Sequence, residues 1–300
     1  MQFVRNIESL PVFQRRPWQW LNHLLLRLAA SGWLPIRHRY PKVAVTPAAY
    51  QGKLQLELVS HCWQYAHLLR FQLASLARYP PEKAELTVTV FFNRDDTETV
   101  ALLDEFAAIS APNIRWNWCQ LPQRLLFRRA IGRNYAALNS AAHWIWFTDC
   151  DLMVGEGTLD TLAAQLQGRT DYLVFPETHA ISALLTRPEI DGLLAASEHL
   201  ESQPHTFLHE EKAIGPLQIT HGDVARELGY CRDIASYQAA EQRWQKAHED
   251  RAFRWLLGTP GVPLSIPNVW RVGHLEKGRY ASRGITGNLR KYLRKTRDIR

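Results

Sequence analysis

Two carboxylates one residue apart, Asp149 and Asp151, follow the apolar run Trp144-Ile145-Trp146-Phe147-Thr148. A run of β-branched and aromatic residues predicts a buried strand. The acidic pair therefore falls on the turn at that strand's carboxyl end, where its two side chains can converge on one hard divalent cation. Mg2+ and Mn2+ prefer oxygen ligands and often share them with substrate phosphates. Such a cation neutralises charge that develops on a leaving diphosphate. Acidic pairs are common in solvated loops, and it is the mid-chain position at a strand end that separates this one from them.

The elements that must carry the pair can be read outward from it. From Lys53 onward strands and helices alternate. Leu54–Ser60 reads as a strand and Tyr65–Arg78 as an amphipathic helix halted by Pro80 and Pro81. Leu86–Phe92 follows as a buried strand, then Asp96–Ile109 as a helix capped by Asp96 or Thr97. Ile114–Cys119 is a third strand, Arg129–Ala142 an alanine-rich helix, and Trp144–Thr148 the fourth strand. Leu159–Gln167 predicts a helix and Tyr172–Phe175 a strand. This alternation predicts an α/β fold, a mostly parallel sheet sandwiched by helices. In such sheets ligands collect at the carboxyl ends of the strands, where the acidic pair lies. Beyond Pro176 the rhythm weakens until Gln242–Leu257, which reads as one long helix.

Neighbouring chemistries are disfavoured by residue type. A phosphatase of the haloacid dehalogenase type wants its nucleophile near the start of the domain, with Thr or Val two residues past the second Asp; here that position is Met153. A nucleotidyltransferase acting on sugar phosphates would place a glycine-rich phosphate loop after the first strand, where this chain has Ser60-His61-Cys62-Trp63. A basic nucleic-acid-binding protein would show clustered aromatic and basic residues on one module, and the chain has no such module.

The order of these segments resembles that of family 2-type glycosyltransferases of the GT-A, Rossmann-like fold, over roughly Leu54 to Tyr280. Arg129-Ala-Ile-Gly132-Arg133-Asn134 is similar to the family's helix that faces the nucleotide diphosphate, which implies donor contacts from Arg133 and Asn134. By the same resemblance Asp149 lies near ribose and metal, and Asp151 binds the metal directly. His274 resembles a late histidine that completes metal coordination. Glu249-Asp250 is similar to the acidic pair that opens the acceptor helix. The family's acidic turn after its second strand is replaced by Phe92-Asn93-Arg94-Asp95-Asp96-Thr97, leaving Asn93 or Asp95 to meet the base. The resemblance implies a Mn2+- or Mg2+-dependent transfer from a nucleotide-diphosphate sugar to the hydroxyl of a glycan or lipid-linked acceptor, in glycan or polysaccharide biosynthesis. The element typical of processive synthases is absent, which favours single addition. With Asp149 and Asp151 committed to the leaving group, Asp250 is the expected base for an inverting displacement, and Glu249 its reserve.

Composition bounds the rest. The 300 residues are 46% hydrophobic and carry a formal charge of +7, which suits a nucleotide diphosphate, an anionic membrane or a nucleic acid alike. Cys62, Cys119, Cys150 and Cys231 form no paired motif, so a reducing cytoplasm is expected. Pro17 to Ile36 is too interrupted by polar residues to span a bilayer. Residues 1–52 read as an N-terminal helical appendage, 53–280 as the transferase domain and 281–300 as a basic tail. Trp18, Leu21, Leu25 and Leu28 share one face of the appendage helix, which is expected to pack on the domain. The other reading, with the tail's help, is peripheral contact with the inner face of a membrane.

Overall fold

A computed structural model describes residues 4–10, 12–13, 18–196, 203–243 and 248–275. In chain order the elements are β1 (Val4–Asn6), α1 (Gln19–Ala30), β2 (Leu54–His61), α2 (Ala66–Arg78), β3 (Ala84–Phe92), α3 (Thr97–Ala107), β4 (Ile114–Gln120), α4 (Gln123–Leu126), α5 (Arg129–Asn139) and β5 (Trp144–Phe147). Then come β6 (Leu152–Val154), α6 (Thr158–Gln165), β7 (Leu173–Pro176), β8 (Thr178–Ser182), α7 (Arg187–Ala195), β9 (His205–His209), β10 (Gln218–His221), α8 (Gly222–Leu228), α9 (Glu249–Leu257), β11 (Val262–Leu264) and β12 (Val269–Arg271).

The main sheet runs β1-β4-β3-β2-β5-β10-β7-β11. Only β10 is antiparallel to its neighbours, so the expected mostly parallel α/β sheet is present. Near-continuous burial of β2 and β3 reflects helices on both faces. The strand order reverses between β2 and β5, and this switch point opens the crevice in which ligands of such sheets sit. Asp96 caps α3 by accepting from the Thr99 amide at 3.3 Å and the Thr99 hydroxyl at 2.7 Å. Gly132 lets α5 approach β2: a Cβ there would stand 2.2 Å from Nε2 of His61.

The described part of residues 1–52 is joined to the rest of the fold, for β1 extends the sheet beside β4. The segment before β2 is also tied down: the amides of Ala44 and Val45 donate to Glu227, and the Tyr50 hydroxyl donates to Asp223 at 2.9 Å. The helix expected over 242–257 is only the nine-residue α9 among the described residues; Glu241, just before that range, is drawn into a buried ion pair with Arg128 at 2.5 Å. In the weakly periodic region past Pro176, β8 and β9 join a second sheet, β6-β12-β8-β9, with β6 from before that region and β12 from after α9. Residues 276–300, including the basic tail, lie outside the described residues. All four cysteines are buried free thiols.

Candidate active site

Asp149, Cys150 and Asp151 turn out of β5 at the switch point and lead straight into β6. β12 returns antiparallel to β6, with Arg271 opposite Leu152, and its following residue donates its amide (Val272) to the Asp151 carbonyl at 2.8 Å. This pairing brings two side chains from the far end of the chain onto the Asp151 carboxylate. Arg271 Nη2 lies 3.4 Å and His274 Nε2 3.7 Å from Asp151 Oδ2. His274 is buried and stacks edge-on against Tyr65 at 5.3 Å. Its backbone is held where Leu185 and Gly273 bond, and a Cβ on Gly273 would meet the Ser182 carbonyl at 2.5 Å. The second sheet is thus the frame that unites Asp151 with His274.

Asp149 points the other way, toward α5. Its Oδ1 accepts from Arg129 Nη1 and, at 3.2 Å, from Arg133 Nη2. Arg129 also donates from Nε to Glu249 Oε1 at 3.2 Å. Burial opposes the charge on all three groups, but mutual attraction more than offsets it. The pKa of Arg129 is raised, while Asp149 and Glu249 are held below the usual carboxylate range. All three are therefore charged at neutral pH.

Arg133, expected to meet the donor, is fully buried. It donates to the Thr148 carbonyl at 3.0 Å, to Gly215 at 3.3 Å and to the Tyr230 hydroxyl at 2.9 Å, bracing the turn from within. The partly exposed arginine of this helix is Arg129, one turn earlier. Asn134 is likewise engaged, accepting from the Tyr230 amide at 2.9 Å. A fourfold spacing on a helix puts both arginines on one side, and their unequal depth follows only from how α5 lies on the sheet.

Asn93 is buried and turned inward, donating to the Leu121 carbonyl at 2.7 Å and accepting from the Asp95 amide at 2.9 Å. It shapes the turn after β3 and leaves exposed Asp95 at its tip. Glu249 and Asp250 occupy the first turn of α9. Glu249 is 2% exposed and bound to Arg129, whereas Asp250 is half-buried beside Gly215, where a Cβ would approach its Oδ2 to 3.9 Å. Of the two carboxylates expected as base, Glu249 is sealed behind Arg129 and Asp250 is the more open.

The fit of a divalent cation rests on donor chemistry. Asp151 and His274 offer an oxygen and an imidazole nitrogen on one side of the crevice. Among the described residues no group of three His, Cys, Asp or Glu converges as a metal cage. Such a pair suits a cation that fills its remaining positions with phosphate oxygens and water. Asp149, the other carboxylate expected at the metal, is held by Arg129 and Arg133 in this structure. Sequence reasoning missed Arg271 and underrated Arg129: nothing local to Arg271 marks it, and only strand pairing sets it beside Asp151.

No family model matches the chain, and no curated protein sequence matches it. Among solved structures it is similar to the mannosyltransferase PcManGT from Pyrobaculum calidifontis in complex with GDP-Man and Mn2+. That likeness has 18% identity over 87% of this chain and 70% of the other, with a TM-score of 0.44. It is also similar to S. aureus TarS 1-349 in complex with UDP (12% identity, 73% of this chain and 60% of that one, TM-score 0.47). The same TarS fragment in complex with UDP-GlcNAc gives 13% identity over 73% and 58%, with a TM-score of 0.45. The chain thus spans less than two thirds of the TarS fragment.

Proposed function

We propose that the chain is an inverting glycosyltransferase that moves a sugar from a nucleotide-diphosphate donor to an acceptor hydroxyl, in the making of a glycan or polysaccharide. The observation that carries this reading is the set of charged groups gathered past the carboxyl end of β5: Asp151 beside His274, Arg129 bound to both Asp149 and Glu249, and Asp250 next to Glu249 at the start of α9. In this reading Asp151 and His274 form the leaving-group wall, Arg129 the floor, and Asp250 the opposite wall.

Asp151 and His274 would hold Mn2+ or Mg2+, which supplies charge neutralisation at the departing diphosphate. Arg129 adds a fixed positive charge beside Asp149, so the anionic leaving group meets a preorganised field rather than reorienting water. Asp149, already ionised and clamped, keeps Arg129 aimed and, as the family resemblance implies, would meet the donor's ribose. Asp95, exposed at the turn tip after β3, is the remaining candidate for the base edge. On the far wall Asp250 takes the acceptor's proton as its oxygen attacks the anomeric carbon. The hydroxyl oxygen forms the new bond, the bond to the diphosphate breaks, and the proton passes to the Asp250 carboxylate. Attack from the face opposite the leaving group inverts the anomeric centre.

A thermal-shift screen of GDP-, UDP- and dTDP-sugars with and without Mn2+ tests the reading, because a ligand bound only by the folded state must raise its stability. Stabilisation by one nucleotide sugar that depends on the metal is expected. A protein indifferent to every donor with and without metal would refute it.

A further inference from the structure

Helix α1 turns outward the face that sequence periodicity marks as core. Leu26 and Ala29 are buried against the body, and His23 packs on Tyr237 at 5.2 Å. Leu21, Leu24, Leu25 and Leu28 instead stand exposed, with Trp18 before them 66% exposed and Trp33 after them 79% exposed. At about 100° per residue, Trp18 and these four leucines fall within roughly 120° of arc. A contiguous apolar stripe of this kind on a surface marks an interaction site.

The charge around the stripe selects its occupant. Between Glu8 and Glu57 the sequence has no Asp or Glu and seven Arg or Lys, of which Arg37 turns to the carbonyls of Trp255 and Leu256 and Lys53 to Glu85. Arg27, Arg39 and Lys42 are exposed. A second copy meeting this face about a two-fold axis would set the same cations against themselves. An anionic bilayer offers both an apolar interior for the leucines and negative headgroups for the flanking cations. Stable attachment to a membrane takes two such signals together. No helix among the described residues is long and apolar enough to cross a membrane, so α1 would lie in the surface plane.

We propose that α1 docks the protein on an anionic lipid surface, with Leu21, Leu24, Leu25 and Leu28 inserted among the lipids and Trp18 and Trp33 at the headgroup level. The docking stands whatever the crevice transfers. It has a consequence for access all the same: α1 packs on α9, and packed helices lie about 8–10 Å apart. Helix α9, whose first turn carries Asp250, is thereby the next layer beneath the lipid-facing helix, a place suited to an acceptor with a lipid anchor.

Co-sedimentation of the full chain with vesicles tests this, comparing equal parts phosphatidylcholine and phosphatidylglycerol with phosphatidylcholine alone. Binding to the anionic vesicles that weakens at high salt is expected. The double variant Leu24→Glu/Leu25→Glu, changed only at exposed positions, should melt as the parent does yet partition onto vesicles about tenfold less or worse. No binding to anionic vesicles at low salt overturns the proposal. So does a double variant that sediments like the parent, which would place the affinity elsewhere in the chain. A parent dimer that the double variant dissolves, without vesicle binding, would make the face a subunit interface and overturn it as well.

Discussion

Arg129, in the first turn of α5, donates from Nε to Oε1 of Glu249, in the first turn of α9, across 3.2 Å. The same guanidinium holds Asp149. One side chain therefore locks the start of α5, on the proposed donor side, to the start of α9, on the proposed acceptor side. The distance between the proposed leaving-group wall and the proposed base wall depends on it.

That lock predicts a coupled energetic response. Arg129→Met leaves Glu249 buried without its partner, which should cost about 3–5 kcal/mol. Adding Glu249→Gln removes the stranded charge, so the double variant should be distinctly less destabilised than the two single effects summed. Urea denaturation of the four proteins gives the cycle; strict additivity would mean that the contact carries no coupling.

Asp151→Ala should abolish transfer and the metal-dependent part of any donor-induced thermal shift, while the unliganded protein melts close to the parent. The readout is the melting temperature with nucleotide sugar, with and without Mn2+. A metal-dependent shift of unchanged size in Asp151→Ala would remove this residue from the cation's shell.

Asp250→Asn should lower kcat by about 10²–10⁴-fold, the usual contribution of a positioned general base, and leave donor binding unchanged. NMR of the product should show the anomeric configuration opposite to the donor's. Retained configuration, or an Asp250→Asn enzyme of normal turnover, would exclude the direct displacement.

Gly132→Ala places a methyl 2.2 Å from His61 Nε2 and 3.0 Å from Phe91 Cδ2. Overpacking of this kind costs about 1–3 kcal/mol. His61→Ala in the same chain opens space and should recover part of the loss. A Gly132→Ala protein as stable as the parent would mean that α5 can move off the sheet freely.

Several histidines are buried in the neutral form. His221 accepts from the Asp223 amide at Nδ1 and meets the Ala48 carbonyl through Nε2 at 3.0 Å, which fixes a neutral tautomer. Burial lowers the pKa of His61, His143 and His221, and takes His179 to about 4. A depressed folded pKa gives stability that is present above the unfolded value of about 6.5 and lost as pH falls toward the folded one. The melting temperature should therefore decline from about pH 6.5 to 4, and less steeply in His179→Gln. A melting temperature constant across that window would contradict neutral burial.

Local pattern was enough for the first part of the fold. The run at Leu54–His61 alternates apolar with polar residues, and those at Ala84–Phe92 and Trp144–Phe147 are rich in β-branched or aromatic residues, so each is marked as a strand by its own side chains. The helices between them carry their own stop residues. Asp149 and Asp151 at a strand end were legible for the same reason: a strand's direction and its last residue are local facts.

What the sequence by itself determined is the alternation of elements, the mostly parallel sheet and the position of the acidic turn. Tertiary structure alone decided which of two arginines a turn apart stays partly exposed, since helical spacing gives both the same side but not the same depth. It also decided that Glu249 is sealed and Asp250 open, and that the leucine stripe of α1 faces outward. The second sheet, which sets Arg271 and His274 beside Asp151, joins three- to five-residue strands drawn from four distant stretches. Strands that short have no periodicity to read, and only the backbone bonds between them establish their partners.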